Sequence, residues 1–119
     1  MIFNMYKIIR GGKMMNARLL YINANKTNEV KKSNFENVKA KIKVSYDYNK
    51  HNLLNLNYLI KVGDTDYDYL ITKCQYEISG YDCNLDEKII LNQAIDLLHE
   101  RIEILIGILA EEIGIKLQS

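Results

Sequence analysis

The sequence predicts an α+β fold: a four-stranded antiparallel sheet followed by one long C-terminal helix packed on it. Three observations carry that prediction. Apolar and polar residues alternate with a period of two over 38–48 and again over 54–62, which sorts them onto opposite faces of a strand. The links between these runs are a few polar or Gly residues, short enough only for antiparallel neighbours. From about residue 85 the apolar spacing changes to three and four, the period of a helix.

The first strand is expected near Ala17–Ala24, and the polar stretch Asn25–Asn37 as a long surface loop. The clearest strand follows. Val38, Ala40, Ile42, Val44, Tyr46 and Tyr48 share one face, and Lys39, Lys41, Lys43, Ser45 and Asp47 the other. Asn49-Lys50-His51-Asn52 is a turn. Leu54, Leu56, Tyr58, Ile60 and Val62 then alternate with Asn55, Asn57 and Lys61. Gly63-Asp64-Thr65-Asp66 forms the next turn, because Gly tolerates positive φ and Asp bonds to its neighbouring backbone. The last strand, about Tyr67–Ile78, is apolar on both sides. Tyr67, Tyr69 and Ile71 lie on one face and Leu70, Cys74, Tyr76 and Ile78 on the other, so either could meet the helix.

Asn84-Leu85-Asp86-Glu87 has capping-box spacing, and its acids suit the positive end of a helix dipole. The apolar stripe is read as Leu91, Ile95, Leu98, Ile102, Leu105, Leu109 and Ile113, with Gly114 as the C-terminal stop. A helix over about 85–113 would be about 43 Å long. Beyond Arg101, residues Ile104, Ile106 and Ile108 widen the apolar surface past what one sheet can cover. A second copy is the cheapest cover, so Ile102, Ile104, Leu105, Ile108 and Leu109 are the expected oligomer interface.

A chain of 119 residues holds one core, and its 48% apolar and 26% charged residues are ordinary for a folded domain. The longest apolar run, Ile102–Ala110, contains Glu103 and is too short to span a bilayer. No signal-peptide pattern opens the chain, and Cys74 and Cys83 read as free thiols, so the expected compartment is the cytoplasm. Pro and Trp are absent while Asn, Lys, Ile and Tyr abound, as an AT-rich coding sequence of a low-GC bacterium or its phage would give. Arg10-Gly11-Gly12-Lys13 before Met14-Met15 could encode a purine-rich ribosome-binding site. Residues 1–14 are accordingly read as an extension outside the native protein, and 15–119 as the domain. Charge is divided: residues 1–50 hold eleven Lys/Arg against three Asp/Glu, net +8, and residues 51–119 five against twelve, net −7.

No catalytic residues emerge, since there is no phosphate-binding Gly loop, nucleophile elbow or HExxH. Asp64, Asp66 and Asp68 have calcium-loop spacing, but Tyr69 stands where that loop needs Gly and Gln75 where it needs Glu, so a hairpin tip is expected. Cys74, Cys83, His51 and His99 lack zinc-ligand spacing, and no cofactor or metal is expected. His99, Glu100, Asp96 and Glu103 read as an exposed charged helix face. Lys39, Lys41 and Lys43 with nine tyrosines resemble a nucleic-acid surface, but scarce Arg and near-zero net charge argue against one. Tyr and Leu side chains beside an apolar helix suit peptide or unfolded-protein binding instead.

The order of parts resembles the SecB-type export chaperones over residues 17–118. The passage Tyr76-Glu77-Ile78-Ser79 through Asn84-Leu85-Asp86-Glu87 to Ile89-Ile90-Leu91-Asn92-Gln93-Ala94 carries it, with the helix end Leu109-Ala110-Glu111-Glu112-Ile113-Gly114-Ile115-Lys116-Leu117. The resemblance implies a homotetramer built as a dimer of dimers, which holds unfolded polypeptides in hydrophobic grooves without nucleotide. Family members serve protein export or guard the antitoxin of a toxin–antitoxin pair. Two departures argue against export coupling. No Pro-rich segment follows the helix, and Lys39, Lys41 and Lys43 occupy a sheet face that is acidic in members that meet the SecA motor.

The expected function is a SecB-like holdase, and Tyr58, Tyr67, Tyr69, Ile71 and Tyr76 are the expected polypeptide-binding residues. Expected partners are unfolded or antitoxin-like polypeptides and further copies of the chain, with no membrane insertion and no nucleic acid. The alternative is a small phage or mobile-element protein that inhibits one folded host or defence protein.

Overall fold

The alternating runs form the expected sheet. The computed structural model describes residues 15–28, 38–49 and 53–115. Strands β1 (Asn16–Lys26), β2 (Lys39–Asn49), β3 (Leu53–Gly63) and β4 (Asp68–Ser79) precede helix α1 (Glu87–Glu112). The sheet is antiparallel throughout, in the order β1-β4-β3-β2, so β1 and β2 are the outer strands. The N-terminal extension, most of the Asn25–Asn37 loop, His51 and residues 116–119 lie outside the described residues.

Register fixes the two faces. Leu54 lies opposite Tyr48 and Ile78, Leu56 opposite Tyr46 and Tyr76, Tyr58 opposite Val44 and Cys74, and Ile60 opposite Ile42 and Thr72. These residues form the helix-side face, and Leu54, Leu56, Ile60, Val62, Cys74 and Ile78 are fully buried on it. The other face carries Lys39, Lys41, Lys43, Asn55, Asn57, Lys61, Lys73, Gln75 and Glu77 and is open. Polar residues line up across it: the Gln75 Nε2 donates to Asn57 Oδ1 at 2.7 Å, and Arg18 pairs with Glu77 at 3.2 Å. The apolar doublets of β4 therefore divide, with Leu70, Cys74, Tyr76 and Ile78 under the helix and Ile71 on the open side.

In β1 the alternation fails at one place. The register shifts between Leu19 and Tyr21, leaving Leu20 as an inserted residue. Leu19 and Ile22 consequently lie opposite Tyr76 and Cys74 on the helix side, while Tyr21 lies opposite Gln75 on the open side.

The helix crosses the sheet from one outer strand to the other. At its start the Tyr46 hydroxyl of β2 donates to Glu87 at 2.9 Å, and farther along Arg101 donates to the Ala17 carbonyl of β1 at 3.3 Å. Its buried ridge is Ile90, Ala94, Leu98, Ile102, Ile106 and Ala110, a step of four throughout. That ridge corrects the expected stripe, of which only Leu98 and Ile102 belong to it. Leu91, Ile95, Leu105, Leu109 and Ile113 flank it, half-buried. A step of four drifts about 40° per turn, so the ridge winds around a helix that is apolar on more than one side.

The N-terminal cap also differs from expectation. Asp86 is the N-cap and makes no side-chain cap bond, and the Asn84 backbone N–H instead donates to the Asp82 carboxylate at 3.0 Å. No capping box forms: with the N-cap at Asp86, Glu87 is the first helical residue instead of the third, and its carboxylate accepts from the Tyr46 hydroxyl. The C-terminus ends as expected at Gly114, whose φ of 84° suits Gly. The Gly114 N–H donates to Glu111 O at 3.0 Å and the Ile115 N–H to Ala110 O at 2.8 Å, a Schellman closure. Among the described residues no helix is long and apolar enough to cross a membrane.

Candidate polypeptide-binding surface

The five residues expected to bind polypeptide do not share a surface. Tyr58 and Tyr76 face the helix side, where both are buried and their rings meet edge to face at 6.1 Å. Tyr69 is buried as well, and its hydroxyl donates to the Asp64 carboxylate. Tyr67 is exposed at the β3–β4 turn, and Ile71 is half-buried on the open face. Three of the five thus lie in the interior, Tyr58 and Tyr76 on the covered sheet face and Tyr69 at the β3–β4 register shift.

Burial sets the chemistry of Tyr58 and Tyr76, and a hydrogen bond that of Tyr69. Loss of solvent pushes the Tyr58 hydroxyl up to about 12, and Tyr76 shifts upward for the same leading reason. The hydrogen bond to Asp64 raises Tyr69 to about 12 and holds the Asp64 carboxyl below its usual range. Asp64 also accepts the Asp66 and Tyr67 N–H groups, each at 2.8 Å. Its carboxylate therefore closes the hairpin tip. Burial likewise raises the Cys74 thiol, while Cys83 is exposed. His99 lies on the exposed helix face, 2.9 Å from Glu103.

Among the described residues the buried Tyr58 hydroxyl has no hydrogen-bond partner. An unsatisfied buried hydroxyl costs about 1–3 kcal/mol. Tyr58→Phe should therefore raise the melting temperature or leave it unchanged, as thermal denaturation followed by circular dichroism would show. A clear fall would mean that the hydroxyl has a structural partner.

Apolar surface lies exposed elsewhere. On the helix side Ile42 and Tyr46 of β2 are 48% and 39% exposed, and Leu19 and Ile22 of β1 are 44% and 40% exposed. The helix passes between these two margins. Leu20 and Tyr21 extend the β1 margin around the strand. On the helix itself Ile104 and Ile108 are 56% and 53% exposed. Each stands two residues from buried Ile106, about 160° around the helix, so they point away from the sheet. Of the expected oligomer interface, then, Ile104 and Ile108 are outward, Leu105 and Leu109 are at the flank, and Ile102 is buried within the chain.

Sequence reasoning missed the β1 margin. Its signal was Leu19-Leu20-Tyr21-Ile22, four consecutive large apolar residues that a strand with one covered face cannot all bury. On the open face a shallow recess of 310 Å³ lies around Leu59, lined by Tyr21, Lys43, Ser45, Asn57 and Lys73. Comparisons with protein-family models, curated proteins and solved structures find no match for this chain.

Proposed function

We propose that this chain is a SecB-like holdase, a self-associating protein that binds non-native polypeptide segments by apolar contact without nucleotide. The exposed apolar surface flanking and backing the helix carries this reading. Leu19, Ile22, Ile42 and Tyr46 line margins with room for extended apolar segments, and Ile104 and Ile108 offer a separate face for a second copy. Large contiguous exposed apolar patches on a folded protein mark interaction sites. The expected binding set accordingly moves from Tyr58, Tyr69 and Tyr76 to residues of the two outer strands.

Aggregation of a chemically unfolded client, followed by light scattering, tests the reading. The full chain should suppress aggregation at about one assembly per client, as a holdase without turnover must. Ile22→Asp with Ile42→Asp should abolish most of that suppression while the melting temperature stays close to wild type. No suppression at several-fold excess would overturn the proposal, and capture of one folded partner in its place would favour the single-target inhibitor.

A further inference from the structure

Strand β2 is an outer strand, and no described strand pairs with its free edge. Its two faces differ sharply. Lys39, Lys41 and Lys43 project on the open side, all exposed, while Ile42 and Tyr46 project on the helix side, also exposed. We propose that the free edge of β2 is a docking site for an extended polypeptide strand in which acidic side chains alternate with apolar ones.

Register supplies the charge argument. Lys41 lies directly opposite Lys61 on β3, and Lys43 lies in the same cross-strand row as Lys73 of β4, with Leu59 between them. Strands about 4.8 Å apart, with same-face residues about 7 Å apart, put these five lysines within roughly 10 by 14 Å. That is close to the Debye length of about 8–10 Å, so their fields add. Like charges directly opposite one another destabilise a sheet, and among the described residues no ion pair relieves these. Carboxylates on a strand added beside β2 would lie at the same spacing as Lys39, Lys41 and Lys43. The intervening side chains of that strand would fall over Ile42 and Tyr46, and its backbone would pair with the free edge.

A second copy of β2 does not fit. Antiparallel self-pairing would bring lysine row against lysine row. Of the alternating acids of this chain, the Asp64 carboxylate is taken up holding the β3–β4 turn, and Asp66 and Asp68 lie at that same end of the hairpin. Nucleic acid is the poorer occupant, because Tyr21 is the one exposed aromatic on the described open face, and stacking platforms normally accompany phosphate contacts. The proposal shares Ile42 and Tyr46 with the holdase reading but adds a required side-chain pattern, so a chain that suppresses aggregation yet does not bind the alternating acidic peptide would overturn this proposal alone.

The test is fluorescence anisotropy with the full chain and a labelled peptide as long as the 11 residues of β2, alternating Glu with Val or Thr. Saturable binding that weakens with added salt is expected. Lys41→Glu with Lys43→Glu should lower affinity roughly tenfold and create affinity for the matching Lys-alternating peptide. Lys41→Glu alone should also weaken binding while leaving the melting temperature unchanged or raising it, because it converts the Lys41–Lys61 repulsion into attraction, so that loss cannot be ascribed to unfolding. Pro at alternate central positions of the peptide should abolish binding. The proposal is overturned by no saturable binding, by binding indifferent to charge reversal or to Pro, or by an oligothymidine that binds more tightly than the peptide with the same lysine dependence.

Discussion

Leu98→Ala is expected to destabilise the chain by about 3–4 kcal/mol, within the range of fully buried Leu truncations. Leu98 has no exposed surface and occupies the middle of the ridge Ile90–Ala110 that the helix lays on the sheet. Small Ala94 precedes it on the ridge, so little neighbouring side chain can swing in to fill the void. Total stability of a domain this size is about 5–15 kcal/mol, so the loss is a large share, and the melting temperature should fall by about 10–15 °C. Urea denaturation should show a lower midpoint with an unchanged slope. A loss under about 1 kcal/mol would mean that the helix is not what closes this face of the sheet.

Gly63→Ala is expected to be nearly as damaging, for a different reason. A Cβ at Gly63 would lie 2.2 Å from the Tyr67 carbonyl oxygen and 2.8 Å from the Asp68 Cα. Both are backbone atoms of the same hairpin and cannot rotate away as a side chain would. Opening the hairpin would sever the Asp64 N–H bond to Tyr67 O, now 2.9 Å, and disturb the turn that the Asp64 carboxylate holds. Overpacking of this kind costs about 1–3 kcal/mol, and loss of turn bonds adds to it. Thermal melting should show the loss directly, and hydrogen exchange should localise faster opening to the β3–β4 end. A variant as stable as wild type would show that the hairpin relaxes freely.

How far such features can be read from sequence depends on how many faces of an element are apolar. Strands β2 and β3 are plain because a half-covered sheet demands alternation, and both bounds fall within a residue of those read. Strand β1 was seen but its bulge was not, since one inserted residue at Leu20 looks like an apolar run until pairing with β4 is known. The existence of the helix and its stop at Gly114 were legible for local reasons, in periodicity and in the tolerance of Gly for positive φ. Its buried ridge was not legible. With Ile and Leu on several sides, spacing admits more than one stripe, and contact with the sheet decides among them.

The same ambiguity displaced the expected binding residues. Tyr67, Tyr69 and Ile71 were grouped against Tyr76 by alternation alone, and nothing local states which side meets the helix. Once β4 is placed, Tyr76 is under the helix and Ile71 is outside. Lys39, Lys41 and Lys43 could be read as a row from β2. Their extension through Lys61 and Lys73 follows only from register with β3 and β4. A single strand's periodicity can reveal half of such a surface. The other half is a property of long-range pairing.

The claim that this fold leaves apolar surface for other chains is tested most directly by solution mass. Light scattering coupled to size exclusion on the full chain should give a dimer or tetramer, or a mass rising toward one with concentration. Ile104→Asp with Ile108→Asp should shift that mass toward a smaller species, because a carboxylate buried at an interface without a partner is strongly disfavoured. A mass of one chain at every concentration, unaffected by those substitutions, would contradict the account.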